Sequence, residues 1–139
     1  MVVRVTGLRD TIGKLRNYRQ RLTEAVKEGI EEGAQIIVEE AKDLVPVLTQ
    51  NLEDSIDWAV NKETEDEYEV VIFFDGRRNG FDYGEWIHEG VYNLGKESLE
   101  KQARVGKVVG RKFLSRAIAN KKQEVINLVK QKTKEARVR

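Results

Sequence analysis

Between residues 8 and 44 the apolar side chains Leu8, Ile12, Leu15, Tyr18, Leu22, Val26, Ile30, Ala34, Ile37, Ala41 and Leu44 follow one another at steps of mostly three or four. That spacing sets them on one stripe of a 3.6-residue helix, and it constrains the fold more than any other feature of the chain. The opposite face is charged, basic at first (Arg9, Lys14, Arg16, Arg19, Arg21, Lys27) and then acidic (Glu28, Glu31, Glu32, Glu39, Glu40). Such a helix spans roughly 50–55 Å, longer than a domain of this size is wide. Its stripe therefore needs a second long helix of the same chain or another subunit. Gly29 and Gly33 sit four apart on it, where they would let another backbone approach at a cost of roughly 1 kcal/mol each relative to alanine. Pro46 ends it, because the residue before a proline is pushed out of the helical region.

Val2, Val3 and Val5, closed by Gly7, suggest a short edge strand ahead of the helix, and residues 45–52 read as a loop or single turn. From Ser55 the period changes to two, with Ile56, Trp58 and Val60 on one face and Asp57, Ala59 and Asn61 on the other. A polar connection leads to a near-continuous apolar strand over 68–74, ended by Asp75-Gly76, so 55–75 is expected to be a β-hairpin. Two strands alone are marginal in water. A third is expected from the N-terminal segment, from residues 107–109 or from a neighbouring subunit. Residues 77–80 have turn chemistry and are expected to be mobile. The spacing predicts a short helix over 83–89 with Asp82 as cap, Tyr83, Trp86 and Ile87 on its inner face and Gly90 as its stop. Residues 91–110 are expected to form a long mobile loop, since the polar stretch 96–104 has only Leu99 and Ala103 to bury. A last helix is predicted over 111–136, with Phe113, Leu114, Ala117, Ile118, Val125, Leu128 and Val129 on its stripe. It is the obvious partner for the first, and the final residues from Lys134 are expected to fray. The fold class is α+β, one domain over 1–139, with long N- and C-terminal helices packed on a small, mainly antiparallel sheet.

The chain of 139 residues is 40% hydrophobic and 35% charged, enough for a modest core under a heavily solvated surface. It has no apolar run long enough to span a bilayer, and its first residues lack a signal-peptide pattern, so the protein is expected to stay where it is made, away from membranes. Zero cysteines exclude disulfides and thiolate chemistry, and one histidine, His88, leaves little for imidazole metal sites. The formal net charge of +1 hides a segregation. Residues 1–27 carry seven basic and two acidic side chains, 28–69 two and fourteen, 70–110 six and six, and 111–139 ten and two. An acidic middle between basic ends suits head-to-tail contact between subunits or an acidic partner; equally, the helix faces could satisfy each other within one molecule.

The residues with chemical potential are Asp75, Asp82, Glu85, His88 and Glu89, where helical spacing could set oxygen and imidazole ligands around a divalent metal as a nuclease requires. No lysine motif accompanies them and no second histidine could act as base, so solvated helix ends are the plainer reading and no catalytic, metal or cofactor residue is assigned. No phosphate-cradling glycine loop and no nucleophile elbow exists in the sequence. The basic C-terminal helix, with Arg111, Lys112, Arg116, Lys121, Lys122, Lys130, Lys132 and Lys134, could neutralise nucleic-acid phosphates without reading bases, since no aromatic interleaves after Phe113.

Three stretches carry a resemblance. Val45-Pro46-Val47-Leu48-Thr49-Gln50-Asn51-Leu52-Glu53-Asp54-Ser55-Ile56 resembles a P-V-x-T-G-x-L-x-x-S-I segment that follows a long helix. Tyr83-Gly84-Glu85-Trp86-Ile87-His88-Glu89-Gly90-Val91 resembles Y-A-x-Y-V-(H/E)-x-G-T. Gly110-Arg111-Lys112-Phe113-Leu114-Ser115-Arg116-Ala117-Ile118 resembles the (R/P)-x-F-L-x-x-A that opens a final helix. In this order they are similar to the tail-completion, or head–tail joining, proteins of long-tailed bacteriophages. Gln50, Gly84 and Val91 depart from the glycine, alanine and threonine usual there. The resemblance implies a non-enzymatic neck or tail-end virion protein, made in the host cytoplasm and assembling with itself as a ring, commonly a hexamer. The ring would dock on the head–tail connector and the tail-tube proteins, with non-specific contact to phage DNA. It marks Pro46, Thr49, Ser55, Tyr83, Trp86, His88, Glu89, Gly90, Phe113 and Leu114 as structural and interface residues. The alternatives are a small DNA-binding protein with a basic C-terminal helix, and a metal-dependent nuclease.

Overall fold

The computed structural model describes residues 9–47, 50–78 and 81–138; Leu8, the valine-rich start expected as an edge strand, and Thr49 lie outside the described residues. The elements run α1 (Arg9–Leu44), α2 (Gln50–Asp54), β1 (Asp57–Glu63), β2 (Tyr68–Phe73), β3 (Arg77–Arg78), β4 (Phe81–Asp82), α3 (Tyr83–Glu89), α4 (Lys96–Val105) and α5 (Phe113–Arg137). The architecture is α+β. The apolar stripe forms one 36-residue helix that stops two residues before the buried Pro46, with the Val45 N–H donating to Ala41 O at 2.9 Å.

The partner that α1 needs is α5, which runs antiparallel to it. Gly33 faces Val125, Gly29 faces Val129, and Ala136 packs with Leu22 and Ala25. The two glycines sit where the helices come closest. A Cβ at position 33 would lie 2.5 Å from Val125 Cγ1, and one at 29 would lie 3.0 Å from Val129 Cα. A side chain at either position would force the helices apart or the valines out of their rotamers. At the other end of the pair lies the main core, where Val38, Ala41, Leu44 and Val45 meet Leu52, Ile56, Ile87, Phe113 and Ala117. Phe113, Ala41 and Ala117 are fully buried there.

β1 and β2 form an antiparallel hairpin in the register Asp57↔Phe73 to Val60↔Val70, with an irregularity between Val60 and Lys62. The predicted alternation fades along β1. Ile56 is buried and Trp58 half-buried, but Val60, next to the irregularity, is exposed. Among the described residues no third strand joins this sheet. Residues 107–109 instead lead into a tie between helices, with the Val109 N–H donating to Gln102 Oε1 at 3.1 Å and the Gly110 N–H to Leu44 O at 2.9 Å. Support for the hairpin comes from α1 across its face. Trp58 Nε1 donates to Gln35 Oε1 at 3.1 Å, the Tyr68 hydroxyl to Glu31 Oε1 at 2.5 Å, and Lys27 pairs with Glu63 at 2.5 Å. β3 and β4 pair as a second small hairpin, Arg77 opposite Asp82, so part of the expected turn is strand.

Three further expectations change. The stretch 91–110, expected as a mobile loop, carries α4, and the reason the sequence hid it is that polar groups hold it. Lys101 is only 3% exposed, and its Nζ donates to Lys42 O (2.5 Å), Val45 O (2.8 Å) and Glu53 Oε1 (2.6 Å). Ser98 Oγ, also buried, accepts from the Val47 N–H at 2.9 Å. Lys101 thus caps carbonyls at the end of α1 that the helix cannot satisfy itself. Second, the buried face of α3 is Gly84, Ile87 and His88, while Trp86, expected inside, is 47% exposed. Third, α5 starts two residues later than expected, because Lys112 precedes it in a left-handed conformation with φ 59°.

Candidate interaction site

Of the residues singled out by the sequence, Tyr83, Trp86, His88, Glu89, Gly90, Phe113 and Leu114 lie at or beside the seam where α3 meets the start of α5, while Pro46 lines a separate groove. Asp82 caps α3, its Oδ1 accepting from the Glu85 N–H at 3.0 Å, and the Tyr83 N–H donates to Gly76 O at 3.1 Å. Gly84 fits against Gly76: a Cβ on Gly84 would lie 2.9 Å from Phe74 Cδ2 and 3.0 Å from Gly76 N. That contact accounts for glycine where the resemblance has alanine. Ser55 fastens the other side, donating to Leu52 O at 2.7 Å and accepting from the Asp75 N–H at 3.0 Å.

His88 is the hub. Its ring stacks on Phe74 with centroids 5.6 Å apart and meets the edge of Phe113 at 5.0 Å. Nδ1 lies 2.9 Å from Glu89 Oε1, and the Ser115 N–H of the first turn of α5 donates to Nε2 at 3.5 Å. A neutral ring with its proton on Nδ1 satisfies both contacts and serves as a cap that Lys112 does not provide. The Lys112 N–H donates to His88 O at 2.7 Å, the Lys112 ammonium pairs with Glu89, and Arg111 Nε donates to Glu89 O at 2.9 Å. Lys112 and then His88 hold the Glu89 carboxyl below its usual range. The Gly90 N–H closes α3 on Trp86 O at 2.6 Å, and Leu114 packs on the core beside Phe113.

On its outer side this seam presents aromatics. Phe81 and Tyr83 meet edge to face at 4.7 Å, and Trp86 stacks on Tyr92 at 5.3 Å. Phe81, Trp86 and Val91 are 51%, 47% and 87% exposed, while Tyr92 is anchored by donating to Ile87 O at 2.5 Å. Burial pushes the Tyr92 phenol up, opposed by the charges of Arg116 and Arg111, which rim the patch. Apolar rings three apart on α3 with arginines beside them have the composition of an interface core. Phe81 and Tyr92 were not singled out by the sequence; their signal is the aromatic pairs at both ends of a seven-residue helix.

The carboxylates weighed for catalysis do not gather. Asp82 is used as a cap, Glu85 is exposed, and His88 lies between two phenylalanines. Among the described residues no group of three or more histidines and carboxylates is arranged to hold a metal, and no helix is long and apolar enough to cross a membrane. Much of the segregated charge pairs within the molecule. Lys132 meets Glu32 at 2.9 Å, Lys107 meets Glu40 and Asp43 at 2.7 Å each, Lys121 lies 3.9 Å from Glu40, and Arg19 lies 3.6 Å from Asp66. Pro46 and Lys101 line a groove of about 380 Å³ whose wall carries Glu53, Glu97 and Glu100.

The family model described as "Bacteriophage HK97-gp10, putative tail-component" matches residues 9–87, more than half of the chain. The match takes in α1, α2, both hairpins and α3 as far as Ile87, with the Pro46 stretch and most of the Tyr83 stretch; the stretch at 110–118 lies beyond it. No curated protein and no solved structure matches the chain.

Proposed function

We propose a structural role in a bacteriophage tail for this chain, which belongs to the HK97-gp10-like family of tail components. The family match is the observation that carries the reading: it supports a tail-related structural protein, and the proposed role is non-enzymatic. The finer role is a neck or tail-end piece that forms a ring, completes the tail and joins it to the head connector. The virion is then its final location and the host cytoplasm its site of assembly. A ring needs two different patches of one subunit to meet. The aromatic face of Phe81, Trp86 and Val91 supports one such patch, because a lone chain gains nothing by exposing it. The seam behind it is rigidly tied by His88, Glu89 and Phe113, so the patch is presented in one shape.

The test is mass analysis of purified virions or induced prophage particles for this chain and its copy number. A few copies per particle, near a multiple of the tail symmetry, are expected. Complete absence from intact particles would overturn the neck role.

A further inference from the structure

The antiparallel packing of α1 and α5 does something the linear sequence does not: it brings the two basic ends of the chain to one end of the molecule. Tyr18, Leu22 and Ala25 of α1 cluster with Ala136 of α5. In that register Lys14 and Arg16 stand about one to two turns beyond Arg137 along the pair and about two to three turns beyond Lys134. The C-terminal half of α5 turns a ridge to solvent: Gln123, Asn127, Lys130, Lys134 and Arg137, all exposed, at steps of four, three, four and three. That ridge holds two amides and three cations and no carboxylate. Among the described residues Lys14, Arg16, Lys130, Lys134 and Arg137 have no ion-pair partner. The neighbouring carboxylates Glu24 and Glu135 accept from Gln20 and Gln131 on their own helices.

The basic residues at the start of α5 differ. Lys112 is taken up by Glu89, Arg111 by Glu89 O, and Arg116 by Arg111 O and Val108 O, at 2.9 Å for each Nε and 2.7 Å for Arg116 Nη1. Lys121 and Lys132 face α1. Lys122, in the first half of α5, is exposed and has no ion-pair partner among the described residues, but it stands alone there, whereas Lys130, Lys134 and Arg137 follow one another along one ridge at the α1–α5 end.

We infer that this end of the helix pair is a surface for the phosphate backbone of duplex DNA, bound without regard to sequence. A protein partner would need an apolar centre, and the ridge offers none. Amide and basic side chains are the groups that contact phosphate, and the ridge carries no aromatic on which a base could stack, Tyr18 being half-buried against Leu22 and Ala25. The cations from Lys130 to Arg137 rise about 10 Å along the helix, enough to follow a few phosphates of one strand. The inference does not rest on the tail role, since it uses only charge and packing.

The experiment is titration of the full chain against a short, labelled, mixed-sequence duplex. With about five phosphates neutralised, affinity should fall several-hundred-fold between about 50 and about 200 mM salt. The triple variant K130Q/K134Q/R137Q should lower the magnitude of the logarithmic salt slope by about 2.7, while E97Q/E100Q on α4 should leave it unchanged. No binding at the lower salt, or an unaltered slope in the triple variant, would overturn the inference. So would an acidic polypeptide that displaces the duplex as well as unlabelled DNA does.

Discussion

At Gly33 one methyl group decides how closely α5 can lie on α1. Alanine should favour the helix by about 1 kcal/mol, but its Cβ would meet Val125 Cγ1 at 2.5 Å. Val125 is β-branched and stiff about χ1, and overpacking of this kind costs about 1–3 kcal/mol. Gly33→Ala should therefore lower the urea midpoint by the equivalent of about 1 kcal/mol, and combining it with Val125→Ala should restore about as much as the clash took. Zero coupling between the two changes would mean that the helices do not meet there. Glu89 governs a pH response instead. Its folded pKa is depressed from the ordinary 4.5 by Lys112 and then His88. The stability it contributes is present above the unfolded value and is lost as pH falls through the folded one. Thermal midpoints taken downward from neutral pH should drop on that limb, and Glu89→Gln should flatten it. Tyr68 is the mirror case at high pH. Glu31 and burial push its phenol up to about 12, so its hydrogen bond contributes fully below pH 10 and is lost as pH rises through about 12. Ultraviolet titration of wild type against Tyr68→Phe should reveal one tyrosine ionising late.

The elements legible in the sequence were those with an apolar period. Leu22, Ala41 and Leu44 marked α1, and Phe113, Ala117 and Val125 marked α5, because burying a stripe requires a repeat. Pro46 and Asp82 marked boundaries for equally local reasons. α4 has no such repeat, since its inward groups are Ser98 and Lys101, and a buried lysine reads as solvent until its three acceptors are seen. The orientation of Trp86 was illegible for another reason: on a helix of seven residues, Tyr83 and Trp86 share a face whichever way that face turns. The docking of α4 can be tested on that one side chain. Lys101→Ala would leave Glu53 and two carbonyls at the end of α1 without their partner, at a cost of about 2–4 kcal/mol. Hydrogen exchange should rise across 96–105 and at the last turn of α1, with the centre of α1 protected as before. Unchanged exchange in α4 would mean that something other than Lys101 holds it.

Taken as a whole, the molecule leaves two contrasting surfaces at its ends once its own pairs are made. Several opposite charges meet between α1, α5 and the β1–β2 hairpin, so part of the segregation seen in the sequence is used within the fold. Two of the surfaces that remain lie at opposite ends of the helix pair, a basic end and an aromatic face. The separation matters, because a subunit contact at one end leaves the other available. The aromatic face can be tested without disturbing the core. Trp86 is 47% exposed, and among the described residues the ring it stacks on is Tyr92. Trp86→Ala should therefore cost the isolated fold no more than about 1 kcal/mol, whereas a tryptophan at the centre of an interface is worth about 2 kcal/mol or more. The variant should melt within a few degrees of wild type and yet, if the chain has the proposed tail role, fail to support particle assembly when supplied to a phage lacking the gene. A variant that assembles as well as wild type would remove Trp86 from the contact. A variant that unfolds would instead assign the ring to the fold, and Phe81→Ala, at a side chain 51% exposed, would then carry the test of the same face.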